Sequence, residues 1–255
     1  MTEVKVYGVT SVDDELFVLL YQDDNQVAVY SVTDYQLLRH LNVPGVEQNL
    51  ANDLTSCVRH KCIYMSDFLD SCIHRYDLAN SDTSKWSVPD RPWGLSVTGS
   101  CNLLVTCHGE PNKLVELSAD SGQCLREIAL QVDIKWPWHG VQLTSGQYVV
   151  CHGYNSDHLH RVSIVGDDGK VTRSYGGQRG SHVTQLTEPR HLAVDNDSQL
   201  IFVADRGNDR VVLLSPTLEF VRYVSEGLSR PHRLYFHHRT RRLFVGHIDV
   251  AVIQL

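Results

Sequence analysis

The sequence lacks the marks of several chemistries. No C-x-x-C pair occurs among its seven cysteines, Cys57, Cys62, Cys72, Cys101, Cys107, Cys124 and Cys151, so a paired-thiol redox or zinc motif is excluded. No G-x-S-x-G is present, which excludes the nucleophile elbow of the α/β-hydrolases. Glycine loops of the phosphate-cradling kind are missing too. Tyr175-Gly176-Gly177-Gln178-Arg179-Gly180 is glycine-rich, but it leads into a polar connector and reads as a flexible link. No apolar run approaches the roughly 18 residues of a membrane helix. The opening Met1-Thr2-Glu3-Val4-Lys5 has no basic stretch followed by an apolar one, so no secretory leader is expected. An odd number of cysteines without a leader points to reduced thiols in a cytoplasmic protein. No amphipathic helix of useful length appears, which argues against a helical fold.

What is present is an ordinary globular balance: 42% hydrophobic and 21% charged residues over 255 positions. That is enough to bury a full core. The net charge of -7 is uneven. Residues 1–70 hold 4 Lys/Arg and 11 Asp/Glu, residues 71–170 hold 8 and 11, and residues 171–255 hold 11 and 8. A grip on phosphates needs clustered Lys and Arg, and only the last third could supply it. Arg230 through Arg242 holds five arginines and no acid. That patch is split between two ends of the fold derived below.

One pattern recurs along the chain: an apolar triplet, a polar turn, then an alternating strand. The triplets are Leu16-Phe17-Val18, Ile63-Tyr64-Met65, Leu103-Leu104-Val105, Tyr148-Val149-Val150, Ile201-Phe202-Val203 and Leu243-Phe244-Val245. Their last residues are 47, 40, 45, 53 and 42 apart. Each unit reads as four short strands separated by turn residues, and six such units predict an all-β, six-bladed β-propeller spanning 1–255 as one domain. The sixth unit stops one strand short. Glu3-Val4-Lys5-Val6 is expected to serve as its outer strand and close the ring, because an open blade exposes unpaired backbone groups.

The fifth unit reads Glu188-Pro189-Arg190-His191-Leu192-Ala193-Val194-Asp195 and then Ile201-Phe202-Val203-Ala204-Asp205-Arg206-Gly207-Asn208-Asp209-Arg210-Val211. This resembles the NHL repeat, which builds six-bladed propellers. The spacing of Asp205 and Arg210 matches the family's acid and base, expected to pair across a hairpin. The second unit keeps Asp67, but Cys72 stands where the arginine would be. In this family such rings often form the C-terminal part of tripartite-motif ubiquitin ligases, so the resemblance implies a substrate-recognition scaffold within a larger polypeptide.

Propeller geometry brings first-strand starts and second-strand ends together around one mouth. The starts are Tyr7, Asp53, Trp93, His139, Arg190 with His191, and His232 with Arg233. The ends are Tyr21, Asp67, His108, His152, Asp205 with Arg206, and His247. Imidazole, guanidinium and indole groups are enriched in binding hot spots and catalytic sites. Candidate binding residues are therefore Tyr21, Trp93, His108, Trp138, His152, Arg190, Asp205, Arg206, Arg233 and His247. Candidate metal ligands are His139, His191 and His232, since histidines from different blades could hold zinc or calcium in the channel. Trp138-His139-Gly140 and Pro231-His232 resemble the zinc-binding blades of the peptide-amidating lyase, also a six-bladed propeller. The expected function is a binding module for a protein or RNA partner, without cofactor. The alternative is a channel-metal lyase or hydrolase acting on a small molecule.

Overall fold

The computed structural model describes residues 5–21, 26–46, 51–155 and 159–255. Six antiparallel sheets follow one another along the chain. Blade one is β1 (Lys5–Val12), β2 (Glu15–Tyr21), β3 (Val27–Ser31) and β4 (Leu37–Leu41). Blade two is β5 (Ala51–Cys57), β6 (Cys62–Asp67), β7 (Cys72–Asp77) and β8 (Thr83–Ser87). Blade three is β9 (Arg91–Val97), β10 (Leu103–His108), β11 (Lys113–Leu117) and β12 (Cys124–Ala129). Blade four is β13 (Pro137–Gln142), β14 (Tyr148–His152), β15 (His160–Val165) and β16 (Val171–Gly177). Blade five is β17 (Pro189–Val194), β18 (Ile201–Asp205), β19 (Arg210–Leu214) and β20 (Phe220–Glu226). Blade six is β21 (Arg233–His237), β22 (Arg242–Gly246) and β23 (Val250–Gln254).

The apolar triplets are the second strands, and their burial explains why they do not alternate. A second strand is covered on both faces by the neighbouring blades, so every side chain of β6, β14 and β18 is buried. Outer strands face water on one side, and β8 alternates exposed with half-buried residues. Each pair of adjacent blades shares one apolar cluster, giving six clusters for six interfaces among the described residues. Cys57, Cys62, Cys72, Cys107 and Cys151 are buried free thiols, as small core residues should be.

The described half of the expected closing strand lies elsewhere. Lys5 and Val6 pair with Tyr21 and Leu20 inside blade one, so they do not form the outer strand of blade six. Glu3 and Val4 lie outside the described residues. A bulge at Tyr7, between the paired Val6 and Gly8, shifts the register without breaking the strand, so the chain runs on as one inner strand. Blade six has three strands among the described residues. Among the described residues, blades one and six are joined by the Val6 amide donating to the His247 carbonyl at 2.9 Å and by Phe244 packing with Val6, Val9, Leu16 and Val18. Gly246 permits this contact, because a Cβ there would lie 2.6 Å from Val6 Cγ1. A second correction concerns the glycine-rich link: Tyr175 to Gly177 belong to β16.

Candidate functional site

Inner strands converge on the axis, and residues from their first halves and middles meet there in one buried network. Asp53, 1% exposed, sits at its centre. Its Oδ1 accepts from the Leu54 amide at 2.9 Å and lies 3.0 Å from Arg233 Nε. Its Oδ2 accepts from the Leu95 amide at 2.8 Å and faces His191 Nε2 at 3.4 Å and His139 Nε2 at 4.0 Å. Arg233 also donates to the carbonyls of Tyr7, Asn52 and His232. The rings of His139 and His191 stack with centroids 3.7 Å apart. Blades one to six are thus all tied to this one carboxylate–guanidinium pair. Burial alone would raise the Asp53 carboxyl, but Arg233 and His191 hold it down at about 2. Burial pushes His139 down to about 3 and lowers His191 as well, so both rings are neutral at ordinary pH.

The donor chemistry here does not suit a metal ion. His139 Nε2 carries its proton, because it donates to the Leu95 carbonyl at 2.9 Å. The Leu234 amide donates to His191 Nδ1 at 3.3 Å, which leaves the proton of that neutral ring on Nε2. Both nitrogens nearest Asp53 therefore lack a free lone pair, and a guanidinium already occupies the carboxylate. His232, the third expected ligand, stands apart with its ring 5.2 Å from that of Tyr7. His139 and His191 also line a cavity of about 340 Å³ that opens between the turns at the opposite end from the mouth, beside Arg59, Asn196 and His238. The expected mouth-facing metal triad is not what the folded chain assembles.

The mouth carries a second constellation, built from aromatic rings of blades three and four. Trp93 meets Trp138 edge to face at 4.9 Å, and Trp136 stacks on Trp138 at 6.1 Å. Tyr154 closes on both Trp136 and Trp138. The Arg190 guanidinium lies 3.6 Å from the Trp138 ring centroid, a close cation–π contact. Burial, then the neighbouring Arg206, brings Arg190 down to about 10. His108 hydrogen-bonds the Pro137 carbonyl at 2.6 Å, and burial pushes it down to about 4. Trp138 is anchored by its indole N–H donating to the Gly153 carbonyl at 2.8 Å. Trp136 is 40% exposed and has φ 52°, a left-handed conformation that costs a bulky residue energy. With Phe68, Arg91, His108 and Lys135 it lines a cleft of about 600 Å³.

The other expected residues divide by role. Asp205 is fully buried and pairs with Arg210 at 2.7 Å, with further bonds from Thr187 and Asn208. Arg210 in turn holds the carbonyls of Ser181 and Gln185, so this pair secures the long connector into blade five. His152 is buried and bonded to Ser163 Oγ at 3.0 Å. Arg206 binds Glu188 at 2.6 Å and, with His232 and His247, lines a separate cavity of about 330 Å³. Tyr21 pairs through its backbone with Lys5, and its side chain lies outside the described residues. Trp136 and Tyr154 were missed by sequence reasoning because they lie in loops outside the repeat. The run Trp136-Pro137-Trp138, two indoles around a proline, was the available signal.

No known family profile matches the chain, and no curated protein matches it either. Solved structures match across its whole length. A streptogramin B lyase superposes with TM-score 0.70 at 13% identity, covering 100% of this chain and 84% of that one. Hydrazine synthase from Kuenenia stuttgartiensis gives TM-score 0.70 at 12% identity, covering 98% and 96%. A protein of unknown function from Bacteroides caccae gives 0.66 at 15%, covering 86% and 78%. At these identities the likeness establishes the fold, a β-propeller, and no chemistry.

Proposed function

We propose that this propeller is a binding module that takes an extended segment of a protein partner across the mouth of blades three to five. The observation that carries the reading is Trp136: it is held in a strained left-handed conformation, half out of the surface, on a platform of Trp138, Tyr154 and Arg190. Strain retained at an exposed aromatic residue beside a cleft is characteristic of binding sites. Rigid indole and phenol rings supply contact area at low entropic cost, and aromatic and arginine residues dominate interface hot spots. The NHL-like motif of blade five supports the same class of function.

A protein ligand fits better than RNA. Several mouth cations already hold a carboxylate: Arg190 and Arg206 share Glu188, Arg233 meets Asp53 and Lys113 meets Asp90. Phosphate binding needs cations free to replace counterions, and the whole chain carries -7. The test is selection of a displayed linear-peptide library on the immobilised protein, followed by fluorescence titration of the enriched peptides. Enriched peptides should lose at least about tenfold in affinity on Trp136→Ala, as expected for a hot spot. Enrichment of nothing, or affinities indifferent to that substitution, defeats the reading. Tighter binding of a random single-stranded RNA pool than of any peptide replaces it with the RNA alternative.

A further inference from the structure

Blades two and five differ at one equivalent spot. In blade five the hairpin from β18 to β19 begins with an acid, Asp205, directly paired with Arg210. In blade two the same hairpin joins Asp67 to Cys72. The guanidinium is gone, and His74, two residues on and therefore on the same face of β7, turns toward the carboxylate. Asp67, Cys72 and His74 are 1%, 1% and 3% exposed.

Their polar atoms converge on one point. His74 Nε2 lies 3.3 Å from Asp67 Oδ2 and 3.5 Å from Cys72 Sγ. A tetrahedral zinc ion with its usual bond lengths places sulfur and nitrogen about 3.6 Å apart and nitrogen and oxygen about 3.4 Å apart. Asp67 is already oriented for this. Its Oδ1 accepts the amides of Leu69 and Asp70 at 3.0 and 2.9 Å, which leaves Oδ2 aimed inward. Asp67 Oδ2 and Cys72 Sγ both face the single Nε2 axis of His74. A nitrogen carries one proton or one lone pair there, and either choice serves only one of the two well. One cation on that axis satisfies all three. At the axial Asp53 cluster, by contrast, Arg233 fills the place of a cation.

We propose that Asp67 Oδ2, Cys72 Sγ and His74 Nε2 form a zinc site that replaces, in blade two, the acid–arginine pin of blade five. A thiolate, an imidazole and a carboxylate form a ligand set suited to zinc. Three protein ligands leave one coordination position. Phe68 and Ser71, from the turn enclosing the cluster, line the cleft that also contains Trp136, so the site stabilises one wall of that mouth.

The test uses the full chain, stripped with chelator and titrated with Zn²⁺ and Co²⁺. One zinc per chain should bind, and cobalt should give a thiolate charge-transfer band. Cys72→Ser and His74→Asn should each weaken binding at least tenfold, while Cys124→Ser, which removes an exposed thiol, should leave it unchanged. X-ray absorption at the zinc edge of the unaltered protein should show one sulfur neighbour with the remainder nitrogen or oxygen, a readout that survives if a variant fails to fold. Absence of saturable binding, binding indifferent to both substitutions, or a coordination shell with no sulfur overturns the proposal.

Discussion

Arg233 Nε lies 3.0 Å from Asp53 Oδ1, a buried ion pair joining blade six to blade two across the axis of the ring. Removing one partner strands the other in a site with almost no solvent. Asp53→Asn should cost about 3–5 kcal/mol in urea unfolding. The double change Asp53→Leu with Arg233→Leu should cost less than the single one, because no charge is left uncompensated. An equal or larger loss in the double variant contradicts the pairing.

Acid should destabilise the protein in two stages. His139 and His108 are held at about 3 and about 4, below the ordinary 6.5. As pH falls below about 6.5 the unfolded chain takes up these protons and the folded one does not. Stability therefore drops toward pH 4, by at most about 1.4 kcal/mol per pH unit for each such histidine. Asp53 acts lower down. Its folded value of about 2 lies below 3.8, so its contribution is present above that ordinary value and is lost as pH falls toward 2. Urea midpoints compared between about pH 7 and about pH 5 check the first stage, and a flat profile refutes it.

Trp136 and Trp138 touch, yet their substitutions should separate. Trp138 is buried and hydrogen-bonded, so Trp138→Ala should cost about 3–5 kcal/mol. Trp136→Gly loses exposed stacking but relieves a left-handed backbone worth about 1–2 kcal/mol. Its net effect on stability should stay under about 1 kcal/mol, while peptide affinity falls about tenfold or more. Thermal melts and titrations on the same preparations measure both.

Inner strands of blades three and four approach closely at Gly94. A Cβ there would meet the Trp138 carbonyl oxygen at 2.4 Å and His139 Cα at 2.8 Å. Gly94→Ala should therefore destabilise by about 1–3 kcal/mol. Gly99→Ala, where nothing lies within 4 Å, should change stability by less than about 0.5 kcal/mol. Similar effects at both positions would show that the close contact is unimportant.

Much of the ring was legible because its cause is local. A strand covered on both faces must be apolar without alternation, and six triplets announced six second strands. The Asp205–Arg210 pair was legible too, since both ends lie in one hairpin and strand pairing sets them opposite. Lys5 and Val6 were expected in an outer strand because nothing in their sequence distinguishes an inner strand from an outer one. That choice depends on which surface the strand meets after the ring has formed.

The chain order by itself determined the fold class and the blade count, because strand periodicity and turn chemistry act over a few positions. Tertiary structure alone decided how those residues combine. It set His139 and His191 against Asp53 and Arg233 instead of His232, seated Arg190 on Trp138, and turned His74 toward Asp67 and Cys72. Such groupings depend on blade-to-blade rotation and on side-chain burial, and no short window of sequence carries either.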